Sequence, residues 1–183
     1  TFNFKNDGAF LKKKKNKEIV VTNDTILESV DFFKFDDPES VAQKIITYNL
    51  SDLSAMGAVP YCYTLSLSLP KWISKDWINQ FTKKLFFLQK KYQFFLLGGD
   101  ISKSKEIVIS ANFYGYILRN LIIKREFPKN GDTIWVTGNI GESHIGLLFK
   151  KNKLFVNKIY QKYFFNKYLY PEPCMIGSKI KKI

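Results

Sequence analysis

Hydrophobic positions along the first two thirds of the chain predict strands that alternate with helices. Two patterns are the clearest: residues 61–69 alternate strictly between apolar and polar side chains, and residues 107–118 are apolar at both sets of alternate positions. The first pattern is typical of a half-buried strand, the second of a strand buried on both faces. The strand-like segments are residues 18–22, 26–33, 61–69, 94–97 and 107–118.

Two amphipathic helices are predicted between these strands. Asp37 followed by Pro38 is a helix start, and Gly57 a helix end. Wound at ~100° per residue, this helix has an apolar half and a polar half. The apolar half holds Val41, Ala42, Ile45, Ile46, Leu50, Leu53 and Met56; the polar half holds Gln43, Lys44, Thr47, Ser51 and Ser54. Ser74 caps the second helix, whose apolar stripe is Trp77, Phe81, Leu85, Leu88 and Tyr92.

Asp52 breaks the pattern of the first helix because it falls inside the apolar half, between Val41 and Ile45 on the wheel. A carboxylate turned toward a core is costly unless a cation, a metal or several donors compensate it. Two interpretations stay open: Asp52 takes part in chemistry, or it is a buried carboxylate that caps a neighbouring loop.

A domain boundary is predicted near residue 127. Residues 119–129 are polar and irregular, and Gly131-Asp132 then begins an expected strand over Thr133–Thr137, followed by a helix that runs through Phe149. Lys153–Tyr168 is expected to be helical. We therefore predict an α/β (α+β) fold with two units: an N-terminal domain over 1–126, built on a mixed β-sheet packed with helices, and the beginning of a second α/β domain over 127–183.

The composition indicates a folded chain with a basic surface. Hydrophobic residues make up 45% of the sequence, and the net charge is +13. A basic balance can indicate a nucleic-acid partner. However, the lysines are dispersed, the only arginines are Arg119 and Arg125, and Asn, Ile, Phe and Tyr are abundant. General compositional bias is therefore favoured over a nucleic-acid surface, since base contacts prefer arginine.

The two cysteines, Cys62 and Cys174, make no disulfide framework and do not have the spacing of metal ligands. We therefore expect a reducing, cytoplasmic setting. No apolar run approaches the ~18 residues that span a bilayer, so no membrane partner is expected. The sequence begins at Thr1 rather than Met, and we expect it to be part of a longer protein.

Four aspartates are candidates for chemistry. Asp7 lies in a Gly-containing loop, Asp24 and Asp100 are predicted at the C-terminal ends of strands, and Asp52 lies on the helix. Converging carboxylates repel one another, and a divalent cation usually reconciles them. Oxygen-only ligands favour Mg²⁺ over Zn²⁺, and Mg²⁺ with few protein ligands commonly binds substrate phosphates. If the four side chains converge, the pattern indicates Mg-dependent phosphate chemistry.

Other candidate residues carry less information. His144 is the only histidine, and a surface or packing role is favoured for it. Gly138-x-x-Gly141 lacks the lysine and the spacing of a P-loop and predicts a tight turn. Gly98-Gly99 would let backbone approach a ligand, or is an ordinary strand exit. Arg125 could clamp a phosphate or be solvated.

Five segments in order resemble the thiamine-monophosphate kinase family, in the superfamily of aminoimidazole ribonucleotide synthetase. The most specific is Asn49-Leu50-Ser51-Asp52-Leu53-Ser54-Ala55-Met56-Gly57-Ala58, similar to the family's N-L-S-D-[LI]-A-A-M-G-A. The others are Thr22-Asn23-Asp24-Thr25, Leu97-Gly98-Gly99-Asp100 with the following Ile101-Ser102-Lys103-Ser104, Arg125 through Gly138, and Tyr168-Leu169-Tyr170-Pro171-Glu172-Pro173.

The resemblance implies a fold, an activity and a homodimer. The fold is that of the aminoimidazole ribonucleotide synthetase N-terminal domain, and the dimer is built through this domain. The activity is direct in-line transfer of the γ-phosphoryl group of ATP onto thiamine monophosphate, through several Mg²⁺ ions, giving thiamine diphosphate. By matching position, the resemblance assigns Asp7, Thr22, Asn23, Asp24, Asp52 and Asp100 to metal, and Gly99, Asp100 and Arg125 to ATP.

The sequence departs from the family pattern at several places. Lys5-Asn6-Asp7 stands for the family's G-D-D, Asn23 for a usual Thr, and Asp31 for a typical substrate-contacting His, so Asp31 is the substrate-binding candidate. The sequence also ends before the family's D-x-S-D-G-L-x-x-D motif, and we expect a fragment that does not complete the site alone.

Two alternatives remain to the kinase interpretation. One is another ATP-using synthetase of the same superfamily with a different acceptor. The other, more distant, is a basic nucleic-acid-binding module.

Overall fold

A computed structural model describes residues 15–126, 128–154 and 157–180 and has four strands and four α-helices in these ranges. The predicted alternation of strands and helices is confirmed for the N-terminal part. In chain order the elements are β1 (Lys17–Leu27), α1 (Pro38–Ala55), β2 (Val59–Leu69), α2 (Lys75–Tyr92), β3 (Phe95–Lys103), β4 (Val108–Leu118), α3 (Glu142–Lys150) and α4 (Lys158–Leu169).

The strands form one mixed sheet in the order β1-β4-β2-β3. β4 pairs antiparallel with both β1 and β2, whereas β2 and β3 run parallel and are connected through α2. Helices α1 and α2 pack together on one face of this sheet, and the hydrophobic core lies between them and the strands. The mixed α/β class expected from the sequence is therefore confirmed.

The predicted helix caps are confirmed. Asp37 accepts a hydrogen bond from the backbone N–H of Glu39 at 3.3 Å, and Pro38 occupies the first helical position of α1. Ser74 accepts from the N–H of Trp77 at 3.1 Å and starts α2. In α2 the predicted stripe is correct: Trp77, Phe81, Leu85 and Leu88 are buried.

The polar half of α1 that the helical wheel indicates is not a solvent-exposed face. Four of its five members are buried: Gln43, Lys44, Thr47 and Ser54. The reason is tertiary, because the C-terminal part of the chain packs over this half of the helix. Gln43 and Thr47 donate hydrogen bonds to the carbonyl of Pro171 at 2.7 and 2.9 Å, and Ser54 donates to the carbonyl of Cys174 at 2.7 Å.

The expectation that Asp52 points into the core is also wrong. Asp52 is exposed, although Val41 and Ile45 on the same face of α1 are buried. This face is covered only over the first half of the helix, and it opens to the surface from Tyr48 onward, through Asp52 to Ala55. A helical wheel cannot show this difference, since it projects all turns onto one circle.

Some predicted segments have different bounds or a different structure. The chain turns after Leu27 instead of continuing extended to Phe33, with the carbonyl of Leu27 accepting from the N–H groups of Val30 and Asp31. The helix predicted over Lys153–Tyr168 begins at Lys158. The strand predicted over Thr133–Thr137 is absent: this segment pairs with no strand among the described residues, and Trp135 is 89% exposed. A strand needs a partner, which a local sequence pattern cannot supply.

The domain division near residue 127 stays a prediction. Contacts do cross it, because α4 and the segment after it cover α1 as described above. Among the described helices, none combines the length and the apolar character needed to cross a membrane.

Candidate functional site

The candidate site lies where strand β1 meets the open half of α1. The hydroxyl of Thr22 donates a hydrogen bond to the side-chain carbonyl of Asn49 at 3.0 Å, and the amide of Asn49 donates to the carbonyl of Ile45 at 3.0 Å. Asn49 is fully buried; its bond to Ile45 is buried and its bond to Thr22 is partly buried. They fix the position of β1 along the helix.

The hydrogen bond between Thr22 and Asn49 brings two carboxylates near each other. Asp24 lies two residues after Thr22 and therefore on the same face of β1, and Asp52 lies about one helical turn after Asn49. Burial, and next the charge of Asp52, raise the pKa of Asp24 above its ordinary value near 3.8. Oδ2 of Asp24 is buried and has no hydrogen-bond partner among the described residues. One oxygen of the pair is thus short of a hydrogen-bond donor among the described residues.

A second group of side chains adjoins the pair. Tyr48 lies one turn before Asp52, and its pKa is raised by burial and by the charges of Asp31 and Asp24. Burial, Tyr48 and Asp31 raise the pKa of Tyr168 to about 12. Tyr48 therefore interacts electrostatically with Asp31, Asp24 and Tyr168, and Asp31 also interacts with Tyr168.

Lys44 lies beneath this group and is 1% exposed. Its ammonium donates to the backbone carbonyl of Asp31 at 2.9 Å and lies 3.6 Å from the ring centroid of Tyr168. Burial lowers the pKa of Lys44 to about 8, against the opposing effect of Asp31. Lys44 thereby joins α1, the turn after β1 and α4.

The other site residues expected from the sequence lie elsewhere. Asn23 points to the opposite face of the sheet, where its amide donates to Asn112 at 2.8 Å. Asp100 pairs in register with Ser66 and Ser110, which places it on that same opposite face. It is also three strand positions from β1, or ~14 Å at the usual strand spacing. Asp100 and Asp24 therefore do not converge on one ion in this chain.

The expectation that Asp24 and Asp100 end their strands is wrong, because β1 continues to Leu27 and β3 to Lys103. Gly99 fits closely against β2: a Cβ there would lie 1.9 Å from the carbonyl oxygen of Leu65. Arg125 lies in an exposed turn. Asp7 lies outside the described residues.

The structure tests whether the remaining residues suit Mg²⁺. Among the described residues, no three His, Cys, Asp or Glu side chains form a group that could hold a metal ion. Asp24 and Asp52 nevertheless fit an ion that keeps water and takes phosphate oxygens as further ligands, because they are hard oxygen donors and one oxygen is unpartnered.

Sequence reasoning missed three members of this region: Lys44, Tyr48 and Tyr168. Tyr48 could have been found, because it lies one helical turn before Asp52, which belongs to the most specific motif. The helical wheel assigns Lys44 to the polar half of α1, and Tyr168 is 124 residues further along the chain. No local signal connects those two.

Comparison with curated proteins identifies close relatives. The chain is 39% identical over 168 residues to thiamine-monophosphate kinase of Buchnera aphidicola subsp. Schizaphis graminum, covering 91% of this chain and 51% of the relative. It is 34% identical over 179 residues to the enzyme of the same name from Buchnera aphidicola subsp. Acyrthosiphon pisum, covering 97% and 55%. The chain thus spans about half the length of the curated relatives it matches.

Solved structures share the fold. Thiamine-monophosphate kinase from Stenotrophomonas maltophilia K279a matches with a TM-score of 0.86 at 31% identity, over 96% of this chain and 57% of that one. A complex of AaThiL with AMPPCP and TMP matches with a TM-score of 0.85 at 27% identity, over 93% and 55%. Hydrogenase maturation protein HypE in complex with ATP, at 18% identity and a TM-score of 0.72 over 85% and 47%, shares the fold alone.

The family assignment rests on the N-terminal domain. Residues 5–117, more than half of the chain, match the sequence profile of the AIR synthase related protein family, N-terminal domain. These residues include strands β1 to β3, β4 except for Leu118, both core helices and the Asp24–Asp52 pair. The chain therefore belongs to the AIR synthase related protein family, and along nearly its whole length it resembles the thiamine-monophosphate kinases.

Proposed function

We propose that this chain contributes the N-terminal half of the site of a thiamine-monophosphate kinase, which transfers the γ-phosphoryl group of ATP to thiamine monophosphate in the cytoplasm. The observation that carries the proposal is the Asp24–Asp52 pair with its unpartnered buried oxygen. Support also comes from relatives that bear this name and from the similar complex of AaThiL with AMPPCP and TMP.

Asp24 and Asp52 would hold Mg²⁺. When bound, the ion would neutralise negative charge on the phosphates of ATP and of the acceptor, which is the main requirement of phosphoryl transfer. Thr22 contributes indirectly, because its hydroxyl is used to orient Asn49 and so sets the spacing between the two carboxylates. Direct in-line transfer, without a phosphorylated side chain, belongs to this proposal.

The remaining assignments stay predictions. Gly99, Asp100 and Arg125 are proposed to face ATP, and Asp31 to contact the substrate. Further metal ligands are proposed at Asp7, Thr22, Asn23 and Asp100. The placement of Asn23 and Asp100 on the opposite face of the sheet means that Asp24 and Asp52 are the metal ligands that the geometry supports best.

The test is formation of thiamine diphosphate from thiamine monophosphate, ATP and Mg²⁺, measured on this chain and on the complete reading frame that contains it. Asp52→Asn should lower kcat/KM by about 100-fold or more, since it removes charge that acts on the transferred group. Glu106→Gln, an exposed carboxylate remote from the pair, is the matched control. Product formation that Asp52→Asn leaves unchanged would refute the proposal.

A substrate panel separates the kinase from its alternatives. An ATP-dependent product with another acceptor, and none with thiamine monophosphate, would favour a different synthetase of the same superfamily. Salt-dependent RNA or DNA binding that survives Asp24→Asn and Asp52→Asn would favour the basic nucleic-acid-binding module.

We propose further that the enzyme is a homodimer joined through the sheet face opposite α1. β1 presents Ile19, Val21 and Leu27 on this face, and they are 42%, 56% and 38% exposed. β1 is also an edge strand, so its outer backbone groups have no strand partner in the described sheet. Val21→Lys should convert a dimer to a monomer by light scattering, whereas Phe87→Lys on the outer side of α2 should not. A monomeric wild type would contradict this.

A further inference from the structure

The outer face of α2 carries a stripe of its own, opposite the stripe that packs into the core. Lys83, Phe86, Phe87 and Lys90 have the spacing i, i+3, i+4, i+7, which places them on one face of the helix. All four are exposed, and the two rings are 58% and 55% exposed. Because neither ring belongs to the hydrophobic core, the fold of the described residues gives no reason for two adjacent phenylalanines on an outer helix face.

The charge around this stripe is concentrated rather than spread evenly. Residues 71–92 hold six lysines and one acidic residue, so about an eighth of the chain carries +5 of the net charge of +13. The helix dipole favours the lysines of the last turn, Lys90 and Lys91, and Lys91 also pairs with Glu172 at 2.6 Å. Lys83 and Lys90 form no ion pair within the described residues. The outer face of α2 therefore carries net positive charge that the described residues leave unneutralised.

Rings and cations are intermixed on this surface. The ammonium of Lys90 lies 4.3 Å from the ring centroid of Phe86, and that of Lys84 lies 5.3 Å from the centroid of Phe87. A ring face that an ammonium already covers offers little area for stacking a nucleic-acid base, and residues 71–92 contain no arginine. At a lipid surface the same arrangement is favourable, since rings enter the boundary below the headgroups while lysine stems extend to the anionic groups.

A second group of the same kind lies before α2. Phe35 and Trp72 are 86% and 41% exposed, and their ring centroids are 6.5 Å apart. The ammonium of Lys34 lies 5.6 and 5.4 Å from the two centroids. Tryptophan and phenylalanine beside lysine are typical of segments that lie at a membrane–water interface. Since the 18 residues of α2 extend over ~27 Å, the two groups together suit an extended anionic surface better than a single small anion.

We propose that the outer face of α2 binds the surface of an anionic phospholipid bilayer. Lys83 and Lys90 contact the phosphate-bearing headgroups, and Phe86 and Phe87 enter the layer beneath them, with the aromatic group before α2 as a second contact. The expectation that this chain has no membrane partner rests on the lack of a spanning segment, which a contact at the surface does not need. The inference does not depend on the proposed kinase activity.

The experiment is co-sedimentation of this chain with vesicles of phosphatidylcholine alone and of an equal mixture of phosphatidylcholine and phosphatidylglycerol. The wild type should bind the anionic vesicles at least about tenfold more tightly. Lys83→Gln combined with Lys90→Gln should weaken this binding about tenfold, since each lysine near the surface contributes to it. Lys158→Gln combined with Lys162→Gln, an exposed pair on α4, is the control for net charge and should change binding less than about twofold.

The aromatic contribution is tested separately. Phe86→Ser combined with Phe87→Ser should also weaken binding to the anionic vesicles about tenfold, because less apolar area is buried in the bilayer. Tyr160→Ser is the control, since Tyr160 is 57% exposed on α4 and should leave binding unchanged. Thermal unfolding should be nearly the same for all these variants, because the substituted side chains lie outside the core.

Three results would overturn the proposal. One is equal binding of the wild type to neutral and anionic vesicles, including no binding to either. Another is an equal loss of binding in the α2 and α4 lysine variants, which would mean that net charge alone causes the attraction. The third is binding to single-stranded RNA that depends on Phe86 and Phe87 without binding to vesicles, which would make this face a nucleic-acid surface.

Discussion

The hydroxyl of Thr22 and the side-chain amide of Asn49 are joined by a 3.0 Å hydrogen bond between strand β1 and helix α1. This bond determines which residues of the two elements face each other. Asp24 follows Thr22 at the next position on the same face of the strand, and Asp52 follows Asn49 by about one turn of the helix. A partly buried polar contact thus positions the carboxylate pair.

Thr22→Val should destabilise the protein by about 1–3 kcal/mol, because it removes the donor and leaves a buried amide oxygen without its partner. Thermal or urea unfolding measures the change. Thr25→Val is the matched control: Thr25 lies on the exposed face of the same strand and donates to Ser110 at 3.0 Å. A loss of stability equal in the two variants would mean that the bond between Thr22 and Asn49 has no special role.

Asp24→Asn should raise the melting temperature of the metal-free protein at pH 7. The pKa of Asp24 is raised in the folded state by burial and Asp52, so the folded state binds its proton more tightly than the unfolded state does. Stability from this group falls as pH rises from about 3.8 through the raised pKa, and the penalty is complete above that pKa. Asparagine removes that penalty.

Added Mg²⁺ should raise the melting temperature of the wild type but not of Asp24→Asn, since an ion that binds only the folded state stabilises it by mass action. Glu106→Gln should respond to Mg²⁺ as the wild type does. A metal-free Asp24→Asn protein that melts below the wild type would show that the carboxylate is already compensated.

Lys44 should make stability depend on pH above neutrality. Burial lowers its pKa from 10.5 to about 8 in the folded state, so between these values the unfolded state binds more protons and stability from this group rises with pH. We therefore compare the unfolding free energies of wild type and Lys44→Met by urea unfolding from pH 8 to 9.5. As the pH rises, their difference should shift in favour of wild type.

The slope of this difference cannot exceed about 1.4 kcal/mol per pH unit, the limit for one proton. The exposed Lys83 provides the control, because Lys83→Met should give a difference that does not depend on pH. A flat difference for Lys44→Met would mean that the ammonium keeps its ordinary pKa when buried.

Substitution by alanine should have different effects on the free energy of unfolding at Gly98 and at Gly99. A Cβ at Gly99 would lie 1.9 Å from the carbonyl oxygen of Leu65 in the adjacent strand, whereas a Cβ at Gly98 would meet no atom within 4 Å. Gly99→Ala should therefore cost about 1–3 kcal/mol or more through displaced backbone, and Gly98→Ala should be neutral or slightly stabilising. Thermal unfolding of the pair decides this, and equal effects would contradict the close approach of β2 and β3.

The sequence by itself determined the local elements of the N-terminal part. Caps at Asp37 and Ser74 and the stripe from Trp77 to Leu88 are encoded within a few residues, because hydrogen bonds and apolar spacing inside one element decide them. The motif around Asp52 likewise indicates the family without any knowledge of the fold.

Only the tertiary structure decided which faces of these elements are covered. Gln43 and Thr47 are buried because the carbonyl of Pro171 receives their hydrogen bonds from more than 120 residues away, and Asp52 is exposed because nothing described covers the end of its helix face. The sheet likewise separates Asp100 from Asp24. Pairing between distant segments decides both the order of the four strands and the face of the sheet on which each side chain lies. Burial and convergence depend on contacts between distant parts of the chain, and periodicity within one segment carries no record of them.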